Sequence, residues 1–197
     1  MLLYKVAVAI LKPICFILFR IKITGKENLP EGPAVVCANH TSMLDPVVLA
    51  IGVGSGVQFH FMAKREIFKN KLLAWLLGKV GAIPVNREAV DLATIRSSLK
   101  VLKDGGKLMV FPEGTRIKEE NARRENVKMG VGMIASRANV PLIPVYISGN
   151  KGLFKKSIII IGKAIEPLRN SESGNENYMN TALAVFDEIM RLGQGSK

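Results

Sequence analysis

The feature that most constrains this chain is an alternation. Short apolar runs rich in β-branched residues, bounded by glycine, proline or polar turns, recur between stretches whose apolar residues are spaced for helices. Ala34–Ala38 (AVVCA), 58–63 (QFHFMA), Ala82–Val85, 108–111 (LMVF), Leu142–Ile147 and 157–161 (SIIII) read as strands. Helical stretches begin at residue 46 and cover 71–77, 88–102, 127–138 and 177–192. Leu92, Ile95, Leu99 and Leu102 share one face of the first long helix, and Met179, Leu183, Phe186 and Met190 line the last. The pattern predicts a single α/β domain with a central, mostly parallel or mixed sheet flanked by helices, its chemistry gathered in the turns that leave strand ends. There is no internal repeat, and the two strongly polar stretches, 118–126 and 170–177, read as surface loops.

At 197 residues the chain suits one domain with a sizeable core, and 48% hydrophobic against 22% charged residues mark it as globular. Its 28 lysines and arginines against 16 acidic residues give a net charge of +12, which calls for a negatively charged partner: nucleic acid, anionic lipid or a phosphorylated small molecule. Aromatics make up 6% and sit mostly inside apolar runs, which ranks nucleic acid behind the other two. Cys15 and Cys37 lie far apart in apolar stretches with no partner at metal-ligand spacing, as expected of buried thiols in a reducing compartment; no metal is expected.

The N-terminal stretch MLLYKVAVAILKPICFILF is almost wholly apolar, but Lys5, Lys12 and Pro13 interrupt it. As a helix it is long enough to cross a bilayer, yet a lysine near mid-span costs about 2.5–3.5 kcal/mol. No small-residue cleavage site follows, so a signal peptide is not expected. Lys5 and Lys12 share one side, and Arg20 and Lys22 follow, which favours a helix lying in the membrane interface over a span or a plain packing helix. The expected organisation is an interfacial helix at 1–20 and a catalytic domain at 21–197.

Two turns stand out because each is polar directly after an apolar strand: Asn39-His-Thr-Ser-Met-Leu-Asp45 and Pro112-Glu-Gly-Thr-Arg116. His40 and Asp45 are five apart, about 140° around a continuous helix, so they meet only if a turn intervenes. Asp45 before Pro46 also reads as a plain helix N-cap. A carboxylate beside a histidine fixes its tautomer and leaves the other nitrogen able to take a proton from a hydroxyl. In the second turn Gly114 allows close approach to the backbone and Arg116 can grip a phosphate through two parallel hydrogen bonds, although such a turn is by itself ordinary. His60 has no acidic residue at a matching spacing and is left out of the site.

Four segments, NHTSMLD at 39–45, GAIPVNR at 81–87, FPEGTR at 111–116 and VPLIPV at 140–145, resemble in order the four blocks of the glycerolipid acyltransferase family, which includes lysophosphatidic acid acyltransferases. The likeness covers roughly residues 21–165. Pro84 departs from it, standing where family members often carry an aromatic residue. The resemblance implies that His40 is the base and Asp45 its orienting partner. It also implies that Arg87, Glu113, Gly114, Thr115 and Arg116, with Lys64, hold the acceptor's glycerol phosphate, and that Pro144 shapes the last block. The implied reaction moves a fatty acyl group from coenzyme A or acyl carrier protein to the sn-2 hydroxyl of 1-acyl-glycerol-3-phosphate, giving phosphatidic acid with no tightly bound cofactor. No elbow serine or cysteine suggests a covalent intermediate, so direct transfer is expected. The implied location is the cytoplasmic face of the cell membrane, on anionic phospholipid. Acylation of glycerol-3-phosphate or another lysophospholipid is the nearest alternative, and a non-catalytic membrane-binding module is the alternative of another class.

Overall fold

A computed structural model describes residues 2–85, 92–148, 155–169 and 173–195, excepting the side chains of residues 2, 3, 7, 11 and 15. Among the described residues, seven strands form one sheet: β1 (Lys22–Thr24), β2 (Ala34–Ala38), β3 (Phe59–Lys64), β4 (Ala82–Val85), β5 (Lys107–Val110), β6 (Leu142–Ile147) and β7 (Ile158–Ile161). They lie in the order β1-β7-β6-β2-β5-β3-β4, and every neighbouring pair is parallel except β6 with β7. This is the mostly parallel, mixed sheet that the alternation predicts.

Among the described residues six α-helices accompany it: α1 (Leu2–Phe19), α2 (Asp45–Val53), α3 (Lys71–Lys79), α4 (Leu92–Lys103), α5 (Gly130–Ala138) and α6 (Gly174–Gln194). Side chains alternate across the strands, so the sheet has two apolar faces. Val35, Cys37, Leu108, Val110 and Leu142 pack with Val131, Ile134 and Ala135 of α5 and Val185, Phe186 and Ile189 of α6. On the other face Val36, Ala38, Met109, Ile143 and Val145 meet Val48, Leu49 and Ile51 of α2 and Phe19 at the end of α1. Helices on both sides bury β2 and β6 completely, which is why these strands read as continuous apolar runs rather than alternating ones. The Cys37 thiol is enclosed here, and burial pushes its pKa far above the thiol range, which makes it inert.

Several boundaries differ from the sequence pattern. β1 is too short to show a period and exists by pairing with β7. α5 starts at Gly130, not 127, because Val127 ends a short 3-10 turn in an extended conformation (φ -71, ψ 134), which no helical residue adopts. α6 starts at Gly174, capped by Ser173 Oγ accepting from the Glu176 amide at 3.4 Å, so the end of the polar stretch 170–177 is helical. Its buried line is Thr181, Ala182, Val185, Phe186 and Ile189, with Leu183 and Met190 only partly buried at its edge. On α4 Leu92 is 63% exposed, and the buried residues are Thr94, Ser98 and Leu102. Polar groups can face inward there because they are satisfied: Ser98 Oγ donates to the Thr94 carbonyl (2.8 Å) and Thr94 Oγ1 to the Pro84 carbonyl (3.2 Å). The expected beginning of this helix, 88–91, lies outside the described residues. Pro84 itself is exposed on β4, one of the two edge strands, where a missing amide costs least.

Candidate active site

Because β2, β3 and β5 are parallel, their C-terminal ends open on one edge of the sheet, and both polar turns leave from that edge. Asn39 carries the β2–β6 pairing one step beyond Ala38. Its Nδ2 donates to the Ile147 carbonyl at 2.9 Å, and its Oδ1 accepts from the Ile147 amide at 2.8 Å. This two-point bridge from a buried side chain holds the chain as it turns, so His40 emerges at a defined place. Its signal in the sequence was a polar amide directly after an apolar strand.

The turn then closes on Asp45. Asp45 Oδ2 accepts from the amides of Thr41 and Ser42, each at 2.8 Å, and lies 2.9 Å from His40 Nδ1. Asp45 is the first residue of α2, with Leu44 as the cap before it. Its carboxylate therefore folds back over the turn, where the plain N-cap reading has it facing forward onto helix amides. His40 is 6% exposed and Asp45 fully buried. Two amides already donate to the same carboxylate oxygen, which makes it an acceptor; His40 Nδ1 then carries the hydrogen, leaving Nε2 as the basic nitrogen.

The second turn packs directly against the first. The His40 amide donates to Glu113 Oε2 at 3.1 Å, and the His40 carbonyl accepts from the Ile117 amide at 2.8 Å. The Phe111 ring stacks on the imidazole with centroids 3.9 Å apart and planes 15° apart. His40 is thus held at its backbone on both sides, at one ring nitrogen and on one ring face. Phe111 carried no warning of this contact in the sequence, where it read as the last residue of a strand.

Glu113 is only 2% exposed. Burial pushes its carboxyl up to about 7, the hydrogen bond from the His40 amide opposes this, and the Asp45 charge adds to it. Gly114 adopts φ +69, a left-handed conformation that turns the chain sharply after Glu113. Gly114, Thr115 and Arg116 are exposed beyond it, so the turn presents a buried carboxylate below and an open glycine, hydroxyl and guanidinium above. The resemblance groups Glu113 with these three; the fold separates it from them. Lys64 ends β3 at the same sheet edge, exposed, with its ammonium 3.8 Å from Glu66. Arg87 lies outside the described residues. Pro144 is buried within β6 opposite Cys37, inside the sheet.

His60, on β3, lines a cleft at the opposite end of the sheet with Gln58, Lys26 and Lys107, away from both turns; burial holds its pKa below the usual histidine value. Lys107 is occupied there, donating to the carbonyls of Glu31 (3.1 Å) and Gly32 (2.9 Å).

A buried histidine–carboxylate pair at the carboxyl edge of a parallel sheet, beside a turn with an open arginine, is the equipment of an enzyme that activates a hydroxyl near an anionic group. Residues 20–148 match the family model described as Acyltransferase, and the chain belongs to that family. Its relatives include the 1-acyl-sn-glycerol-3-phosphate acyltransferase of Bacillus subtilis (strain 168), 35% identical over 176 residues that cover 86% of this chain and 84% of that one. The enzyme of the same name from Streptococcus pneumoniae is 30% identical over 83% of this chain and 61% of its own length. Among solved structures, the 1-acyl-sn-glycerophosphate acyltransferase PlsC from Thermotoga maritima superposes with a TM-score of 0.71 at 25% identity, over 95% of this chain and 78% of that one.

Proposed function

We propose that this acyltransferase moves a fatty acyl group from a thioester to the sn-2 hydroxyl of 1-acyl-glycerol-3-phosphate, producing phosphatidic acid. The observation that carries the reading is the 2.9 Å approach of His40 Nδ1 to Asp45 Oδ2 beside the exposed Gly114–Thr115–Arg116 turn. His40 Nε2 takes the hydroxyl proton as the acceptor oxygen attacks the thioester carbonyl. The tetrahedral intermediate collapses with loss of the thiolate, which leaves as the thiol after receiving the proton back from His40. Asp45 stabilises the imidazolium between the two transfers. Arg116, with Arg87 and Lys64, binds the acceptor phosphate, while Gly114, which has no side chain, and the hydroxyl of Thr115 line its approach.

Glu113 fits a different task from the one that the resemblance implies. Its carboxyl is buried and accepts from the His40 amide, so it positions the base from behind. The donor is acyl-coenzyme A or acyl carrier protein, and no tightly bound cofactor takes part.

The enzyme works on the cytoplasmic surface of the cell membrane, where a lysophospholipid resides. Support comes from α1, whose exposed Val6, Ile10, Ile14 and Ile17 form one apolar stripe while Tyr4, Val8 and Phe19 are buried. Among the described residues no helix is long and apolar enough to cross a membrane.

A thiol-release assay with purified protein, crossing both carriers with lysophosphatidic acid, glycerol-3-phosphate and other lysophospholipids, tests the proposal. His40→Ala should lower turnover by at least about 10²-fold while acceptor binding persists, whereas Arg116→Ala should chiefly raise the acceptor KM. Near-normal turnover by His40→Ala would remove the base assignment, and a preference for glycerol-3-phosphate would replace the acceptor.

A further inference from the structure

Helix α3 has no buried residue. Leu72 is 72% and Trp75 55% exposed, with Leu73 and Leu76 also open, while Ala74 and Leu77 are partly covered where the helix rests on β4 and the turn at 65–69. At 100° per residue the four exposed apolar side chains fall within an arc of about 160°. Ile67, in the turn just before, is exposed as well. Folding alone does not explain so concentrated an apolar surface on a single short helix.

The charges around it are nearly all of one sign. Arg65, Lys69, Lys71 and Lys79 are exposed beside the patch, and the one carboxylate between residues 65 and 79, Glu66, has the Lys64 ammonium 3.8 Å away. A second copy of this chain would bring these cations against their own kind, with +12 on each molecule. An apolar arc with a tryptophan and a rim of lysines instead matches the boundary between anionic headgroups and acyl chains. The location agrees, because α3 follows β3, whose C-terminal end lies on the edge from which His40 and Glu113 also leave the sheet.

We propose that α3 is a membrane-docking element that seats Leu72, Leu73, Trp75 and Leu76 in the surface of an anionic bilayer, with its lysines on lipid phosphates. It goes beyond the docking of α1 and is independent of the acyl-transfer reading, since it is measured without substrate.

Trp75 is the only tryptophan in the chain, so tryptophan emission, excited selectively over the three tyrosines, reports from α3 alone. On titration with vesicles of phosphatidylethanolamine and phosphatidylglycerol, that emission should shift to the blue and be quenched by lipids brominated on their acyl chains. Leu72→Asp together with Leu76→Asp, both at exposed positions, should weaken vesicle binding about tenfold or more. Sedimentation with the vesicles but unchanged, unquenched Trp75 emission would overturn the proposal by placing the contact on α1 alone. A blue shift that grows with protein concentration in the absence of vesicles would overturn it in favour of self-association, and equal binding to phosphatidylcholine vesicles would remove the role of the lysines.

Discussion

Glu113 is the residue at which geometry and charge make the sharpest demand. Its carboxyl ionises at about 7 in the fold against an ordinary value of 4.5. Between those values the folded state keeps a proton that the unfolded chain has released, so this group's contribution to stability declines as the pH rises through that window. Glu113→Gln keeps an acceptor for the His40 amide but cannot ionise. Thermal denaturation of both proteins from pH 4.5 to 7 should therefore show the Tm difference moving in the variant's favour as the pH rises. Parallel curves would mean that Glu113 does not titrate there. Glu113→Ala leaves the buried His40 amide without this acceptor, a loss of about 1–3 kcal/mol, and should lower kcat by about 10 to 100-fold where the glutamine variant stays within about tenfold of wild type. At this scale His40 and Asp45 stood out by type and spacing in a polar turn after a strand, while their roles as base and orienting partner came from the resemblance carried by the four segments together. The contribution of Glu113 was not legible, because nothing in the order of residues says that a carboxylate in one turn will meet an amide in another, 73 positions away.

Among the elements, α5 and α6 depend on a glycine whose role no local pattern discloses. A Cβ at Gly132 would collide with the Tyr178 carbonyl oxygen of α6. Backbone this close cannot move aside as a flexible side chain could, so Gly132→Ala should destabilise the fold by about 1–3 kcal/mol despite the better helix propensity of alanine, a cost measurable by urea denaturation. The same close approach accompanies an inner line of α6 that keeps Phe186 from the large residues that periodicity selects but otherwise runs through Thr181, Ala182, Val185 and Ile189. Helix periodicity marks which side chains are apolar; packing decides how near two backbones come, and small residues then occupy the contact. On α4 the equivalent shift has a polar cause, since Thr94 and Ser98 find carbonyl partners and turn inward, leaving Leu92 in solvent.

For the molecule as a whole, the net charge of +12 sets a test that no single residue can supply. If cations on α3 and near α1 meet lipid phosphates, binding to anionic vesicles should fall steadily as sodium chloride is raised from about 0.05 to 0.5 M, while the apolar contribution persists as a salt-resistant remainder. Vesicle sedimentation across that range, with phosphatidylcholine vesicles as the neutral reference, measures both parts. A salt-independent affinity would place the whole interaction on the apolar stripes. The exposed apolar stripes of α1 and α3 belong to helices far apart in the chain.

What the sequence determined by itself was the class of fold and, through the resemblance that its four segments carry, the chemistry to expect. Apolar runs with strand and helix periods, and the short polar turns after them, follow from local physics that neighbouring residues carry wherever they are placed. Tertiary structure decided what the turns do to one another: Asn39 bridging to Ile147, Phe111 stacking on His40, and Glu113 reaching beneath it. It also left the apolar arc of α3 uncovered, a fact absent from the string of residues because exposure depends on what fails to pack against a helix. The physical reason is the same in each case, for burial and hydrogen bonding at a sheet edge are set by strands that are distant in sequence and adjacent only once the sheet has formed.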